Sequence, residues 1–160
     1  MKTLVVYFSY SGNCALVADV IKNSLNADVL ELKLTDERER KGLAKYIWGG
    51  KQVFSHVKPP LKPYRADWEQ YDFIVIGSPV WAGTFAPALG TFFDETKISG
   101  KKIALFCCHG GGQGRFFDRV KAALPGNTFA AERGFVISSG VNRGEALENV
   151  RAWAQTLAKV

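Results

Sequence analysis

The chain has 160 residues, 47% apolar and 22% charged, with a formal net charge of +6. That length suits one domain burying about 70% of the surface its unfolded chain exposes. The composition excludes disordered, collagen-like and low-complexity classes, and no internal repeat is present.

Leu4-Val5-Val6-Tyr7-Phe8 is short, apolar and rich in β-branched and aromatic residues, which predicts a strand buried on both faces. Ser9-Tyr10-Ser11-Gly12-Asn13 follows as a turn. Residues 14–25 then show helical spacing, with Val17, Val20, Ile21 and Leu25 on one face. Residues 29–34 alternate apolar and charged, the pattern of an edge strand. A long piece over 35–71 reads as an insertion, with a helix near 42–54 and then an extended run containing Pro59, Pro60 and Pro63. Phe73-Ile74-Val75-Ile76 is a second apolar strand, ending at Gly77-Ser78-Pro79. A helix over about 85–93 follows, with Pro87 in its first turn. Residues 103–107 form a third apolar strand. Phe117, Val120 and Leu124 mark a helix face, and Phe135-Val136-Ile137 a last strand with a break at Arg133-Gly134. Leu147, Val150, Trp153, Ala154 and Leu157 place a helix at the end.

Strands alternating with helices imply an α/β fold: one doubly wound, five-stranded parallel sheet in the order 2-1-3-4-5, spanning 1–160 as a single domain. In that order ligands bind beyond the carboxyl ends of the strands, at the switch point between strands 1 and 3. Three loops leave those ends, at 9–14, 77–84 and 108–115. They carry much of the glycine and small-hydroxyl content and a prominent Trp.

In the first loop, backbone N–H groups at a helix start, with Ser9 and Ser11 beside them, suit an anion held by neutral donors; a plain helix cap is the alternative. In the second, Trp81 offers a flat face to a planar ring or covers the sheet end, and Gly83 permits close backbone approach. The third has four glycines, Gly110, Gly111, Gly112 and Gly114, yet fits neither a dinucleotide fingerprint nor a Walker loop. Cys108 and Arg115 are separated by six residues, where a thiol-phosphatase loop needs five. A phosphoacceptor receiver would need acids where Ser9 and Ser78 stand.

Three cysteines (Cys14, Cys107, Cys108) and two histidines (His56, His109) fit neither a disulfide framework nor a metal-ligand spacing. Cys107 and Cys108 read as buried residues at a strand end. The apolar start is too brief for a signal peptide, and no stretch approaches the roughly 20 residues of a membrane span. The expectation is a cytoplasmic protein without a membrane partner.

At these loops the sequence resembles the flavodoxin family, over nearly the whole chain. Ser9-Tyr10-Ser11-Gly12-Asn13-Cys14 matches the family's phosphate loop, with Cys14 where a Thr is usual. Pro79-Val80-Trp81-Ala82-Gly83 is similar to a Pro-x-Trp loop, and Cys108-His109-Gly110-Gly111-Gly112 to the glycine-rich loop after the fourth strand. The resemblance implies a three-layer flavodoxin-like sandwich and FMN as cofactor. It places Ser9, Ser11, Asn13 and Cys14 around the phosphate, Trp81 on the isoalloxazine with Ala82 and Gly83 near its N5 edge, and the backbone of 108–112 at the pyrimidine end. A Tyr stacking from the third loop is missing; His109 would substitute for it or else point to solvent.

The implied function is electron transfer through FMN. The alternatives are an FMN-dependent NAD(P)H:quinone or small-molecule oxidoreductase, and a flavin-free binding module. Unlike the typically acidic flavodoxins, this chain is basic, and one segment makes it so. Arg40, Lys41, Lys45, Lys51, Lys58, Lys62 and Arg65 have no acid among them, leaving −1 for the rest of the chain. With Tyr46 and Trp48, the 40–65 segment would steer an acidic redox partner protein toward the flavin edge, or else form a solvated basic face. It carries no recognised nucleic-acid motif, so nucleic acid is not expected as a partner.

Overall fold

A computed structural model of the chain describes residues 1–36, 58–137 and 140–160. The helix expected near 42–54, and with it Tyr46, Trp48 and four of the seven basic residues, lies outside them. The strands are β1 (Thr3–Phe8), β2 (Asp28–Leu32), β3 (Phe73–Trp81), β4 (Thr84–Phe85), β5 (Lys102–His109) and β6 (Thr128–Val136). The helices are α1 (Asn13–Leu25), α2 (Pro87–Thr96), α3 (Phe116–Ala123) and α4 (Arg143–Leu157).

Five strands pair in parallel in the order β2-β1-β3-β5-β6, the doubly wound order expected, and β4 folds back antiparallel onto the end of β3. The pleat divides the core. Leu4, Val6, Ile74, Ile76, Ile103 and Leu105 face α2 and α3, whereas Val5, Tyr7, Phe73, Val75 and Phe106 face α1 and α4. Both faces of β1 are therefore buried, which explains its unbroken apolar run. Gly77 lies level with Phe106 on β5. A Cβ on Gly77 would fall 2.1 Å from the Phe106 ring, so the missing side chain is the space the ring occupies.

Several boundaries differ from expectation: Phe85 pairs in β4, and the helix expected over about 85–93 runs Pro87–Thr96. β3 runs on through Pro79 to Trp81 instead of ending at Gly77. β1 pairs only as far as Gly77, and beyond it β3 has one parallel neighbour, a half-edge that accommodates proline. β6 is continuous across Arg133-Gly134, with a register shift near its start. It is an edge strand with one buried residue, Phe135, so its sequence lacks an apolar run. β2 ends at Leu32, and Leu34 instead bridges antiparallel to Leu61.

Candidate functional site

Parallel pairing brings the three loops to one level. Tyr7 pairs with Gly77, and Pro79 pairs with Cys108, which pairs with Phe135. Carried two residues along β1 from Tyr7, the same row reaches Ser9. Around it lies a cleft of about 140 Å³, lined by Ser9, Tyr10, Ser11, Asn13 and Cys14 from the first loop and the start of α1, Pro79 and Val80 from β3, Cys108 and His109 from the end of β5, and Gly110 just beyond it. The sequence had not singled out Ile137, which lines it too.

The first loop is held by its own polar groups. Gly12 has φ +94 and caps α1 without a side chain. The Ser9 hydroxyl, six residues upstream, accepts the Ala15 N–H at 3.2 Å, and Gly12 O accepts the Leu16 N–H. The N–H groups of Asn13 and Cys14 meet no protein acceptor among the described residues, as first-turn donors do until something external accepts from them. The Asn13 amide donates to Ile137 O at 3.1 Å and ties this loop to the exit of β6. No Lys or Arg lines the cleft.

Cys14 and Cys108 are 2% and 4% exposed, and both border the cleft. Burial first, then the hydrogen bond with Cys108, pushes the Cys14 thiol well above its ordinary value. Cys107 sits on the other face of β5, and burial pushes it up to about 12. All three cysteines are free and buried, and the raised thiols of Cys14 and Cys107 stay protonated at neutral pH.

Trp81 does not border the cleft. It is 8% exposed and packs with the core, edge-on to Phe8 at 5.8 Å and to Tyr10 at 5.4 Å between ring centres. The aromatic that lines the cleft is Tyr10. Ala82 and Gly83, at φ 48 and 74, form the two-residue turn between β3 and β4, a type I′ arrangement matched to strand twist. Buried Ser78 braces the turn's base, accepting the Ala86 N–H at 3.2 Å and donating to Pro79 O at 2.9 Å. The glycine-rich loop is fastened to this turn. Arg115 N–H donates to Gly83 O at 2.8 Å, and Gly114 packs directly on Gly83. Gly111 and Gly112 lie outside the cleft lining, and Gly112 N–H donates to His109 Nδ1 at 3.0 Å. The neutral ring's proton is thereby assigned to Nε2, which lies over Gly134.

Among the described residues no group of three His, Cys, Asp or Glu could hold a metal ion, and no helix is long and apolar enough to cross a membrane.

No curated protein matches the chain. Among solved structures it is similar to the flavoprotein in complex with FMN from Lactobacillus acidophilus, at 25% identity and a TM-score of 0.66, over 83% of this chain and 92% of that one. It is similar in fold to oxidised flavodoxin 2 from Bacillus cereus (22% identity, TM-score 0.62, 99% of each chain). The flavodoxin, WrbA-like protein from Agrobacterium tumefaciens shares the fold at 16% identity and a TM-score of 0.67, over 99% and 95% of the two chains. A family model described as flavodoxin matches residues 2–157. With that match over nearly its whole length and a sheet wound in the same order, the chain belongs to the flavodoxin family.

Proposed function

We propose that the chain binds one FMN across the three loops and acts in electron transfer. The observation that carries this reading is the cleft itself: loops from three strands meet there, with two unaccepted N–H groups at the start of α1 and no cation. A cavity of about 140 Å³ is smaller than the roughly 300–1,000 Å³ of most small-molecule sites. It fits the phosphate end, and the rest of the nucleotide would lie across the open sheet edge.

The N–H groups of Asn13 and Cys14 and the hydroxyls of Ser9 and Ser11 would hold the phosphate, aided by the positive end of the α1 dipole. Ser9 already accepts from Ala15, so its own hydroxyl hydrogen is left to donate. Hydrogen bonds to a charged group contribute about 1.5–3 kcal/mol each, enough for several neutral donors to hold a dianion. When bound, FMN supplies one- and two-electron chemistry. The turn at Ala82 and Gly83, and the backbone of 108–112 with Cys108 and His109, would border the ring system. An apolar surround of Tyr10, Pro79 and Val80 without a cation disfavours added negative charge and lowers the potential.

The test is a visible absorption spectrum of the purified protein, before and after adding FMN and desalting. Retained flavin absorbance supports the reading; colourless protein after desalting removes it. Steady-state NAD(P)H oxidation without a partner protein would replace the carrier by an FMN-dependent oxidoreductase.

A further inference from the structure

A second cavity, of about 630 Å³, opens where the Ala82-Gly83 turn meets α2 and α3. It shares no lining residue with the cleft. Its floor is aromatic: Phe85 and Phe93 meet edge-on at 5.4 Å between ring centres. The α3 side is lined by Ala122 and Ala123, whose small side chains leave the space open.

The rim is charged unequally. Lys58 pairs with Asp94, so each neutralises the other. Arg115, the N-cap of α3, and Arg119, in its first turn, also line the cavity, four positions apart. Neither guanidinium has an ion-pair partner among the described residues. Among the described residues, two planar cations without an acidic partner therefore stand at the mouth of this cavity.

We infer that this cavity binds a small organic anion, an aromatic body carrying a carboxylate, with Arg115 and Arg119 holding the carboxylate. The volume lies within the roughly 300–1,000 Å³ of small-molecule sites, and an apolar floor with a few convergent polar groups is their usual build. A guanidinium fork matches a carboxylate in two parallel hydrogen bonds, which a lysine does not offer. An acidic protein side chain would leave most of the aromatic floor uncovered. The site does not depend on FMN. It abuts the turn that Gly83 and Gly114 clamp, so its occupant touches the element standing beside the cleft.

The test is a calorimetric titration of the full chain, with and without added FMN, using 2-naphthoate and neutral 2-naphthalenemethanol. Naphthoate is expected to bind with a dissociation constant below about 1 mM and about tenfold tighter than the alcohol. The R115Q/R119Q double variant should erase that tenfold difference and leave the alcohol unchanged. Ala123→Phe, filling the cavity from an exposed helix position, should abolish binding of both, with the urea midpoint reporting that the fold is kept. Equal affinity for the acid and the alcohol overturns the inference. So does naphthoate binding that survives R115Q/R119Q, or no binding at millimolar concentration. Flavin absorbance of the same samples reports the cleft separately, so failure here leaves the FMN reading standing.

Discussion

Gly114→Ala tests whether the glycine-rich loop is built for contact with the β3–β4 turn or is merely mobile. A Cβ at this position would lie 2.6 Å from Gly83 Cα and 2.8 Å from Gly83 O, both backbone atoms with no rotamer to change. Gly114 also has φ +53, where an L side chain meets its own carbonyl at a cost of about 1–2 kcal/mol. Overpacking adds about 1–3 kcal/mol. Stretching the Arg115 N–H bond to Gly83 O adds about 0.5–1.5 kcal/mol. The stiffer unfolded chain returns about 0.4–1 kcal/mol. The expected net loss is about 1.5–6 kcal/mol, a fall in Tm of about 3–24 °C for a domain of this size. Gly111→Ala is the control, because no atom lies within 4 Å of its would-be Cβ and its φ is not positive. Urea and thermal unfolding should show Gly111→Ala within about 0.5 kcal/mol of the parent chain. Equal stability of the two variants would refute the clamp.

Gly77→Ala drives a methyl into the fully buried Phe106 ring and should lose about 3 kcal/mol or more; adding Phe106→Leu should recover part of it, seen as coupling of about 0.5–3 kcal/mol in a double-mutant cycle of urea midpoints. Asn13→Ala removes the bond to Ile137 O and should destabilise by about 0.5–1.5 kcal/mol while loosening FMN retention after desalting. Cys107, raised from 9.0 to about 12 by burial and then by Cys108, binds its proton more tightly folded than unfolded. Its contribution is therefore complete below pH 9 and is lost as pH rises toward 12, so Cys107→Ala should flatten the fall of the urea midpoint across that window. An unchanged slope in the variant would assign the alkaline limb to other groups, such as Tyr7, also raised to about 12 by burial and then by Glu31 and Asp19.

What could be read from the sequence followed burial. β1 and the paired centres of β3 and β5 lie between two helical layers, so the side chains of 4–8, 73–76 and 103–107 are all apolar and each strand announces itself. β6 has solvent along one edge, and its Arg133-Gly134 looks like a breaker. Gly134 is instead a packing gap, since a Cβ there would meet Gln113 Oε1 at 2.7 Å and His109 Nε2 at 2.9 Å. The Gly83–Gly114 clamp joins residues 31 positions apart and leaves no periodic trace. Trp81 illustrates the same boundary: its place at the sheet end was legible, but its ring packs on Phe8 and Tyr10 in the core, and Tyr10 lines the cleft.

Topology and register contribute differently to the site. A parallel sheet releases the loop that follows each strand at the same, carboxyl edge, so the strand order brings 9–14, 77–84 and 108–115 together. Which atoms then face the cleft depends on register, because a slip of one residue turns every side chain to the other helical layer. The alternation along β5 shows this: Cys107 packs with the α2–α3 layer and Cys108 with the α1–α4 layer, where it meets Cys14. Shifted by one, β5 would present Cys107 at the cleft and drive Phe106 away from the space Gly77 leaves for it. The Gly77–Phe106 fit deep in the sheet therefore fixes which thiol and which backbone groups border the cleft two residues further on.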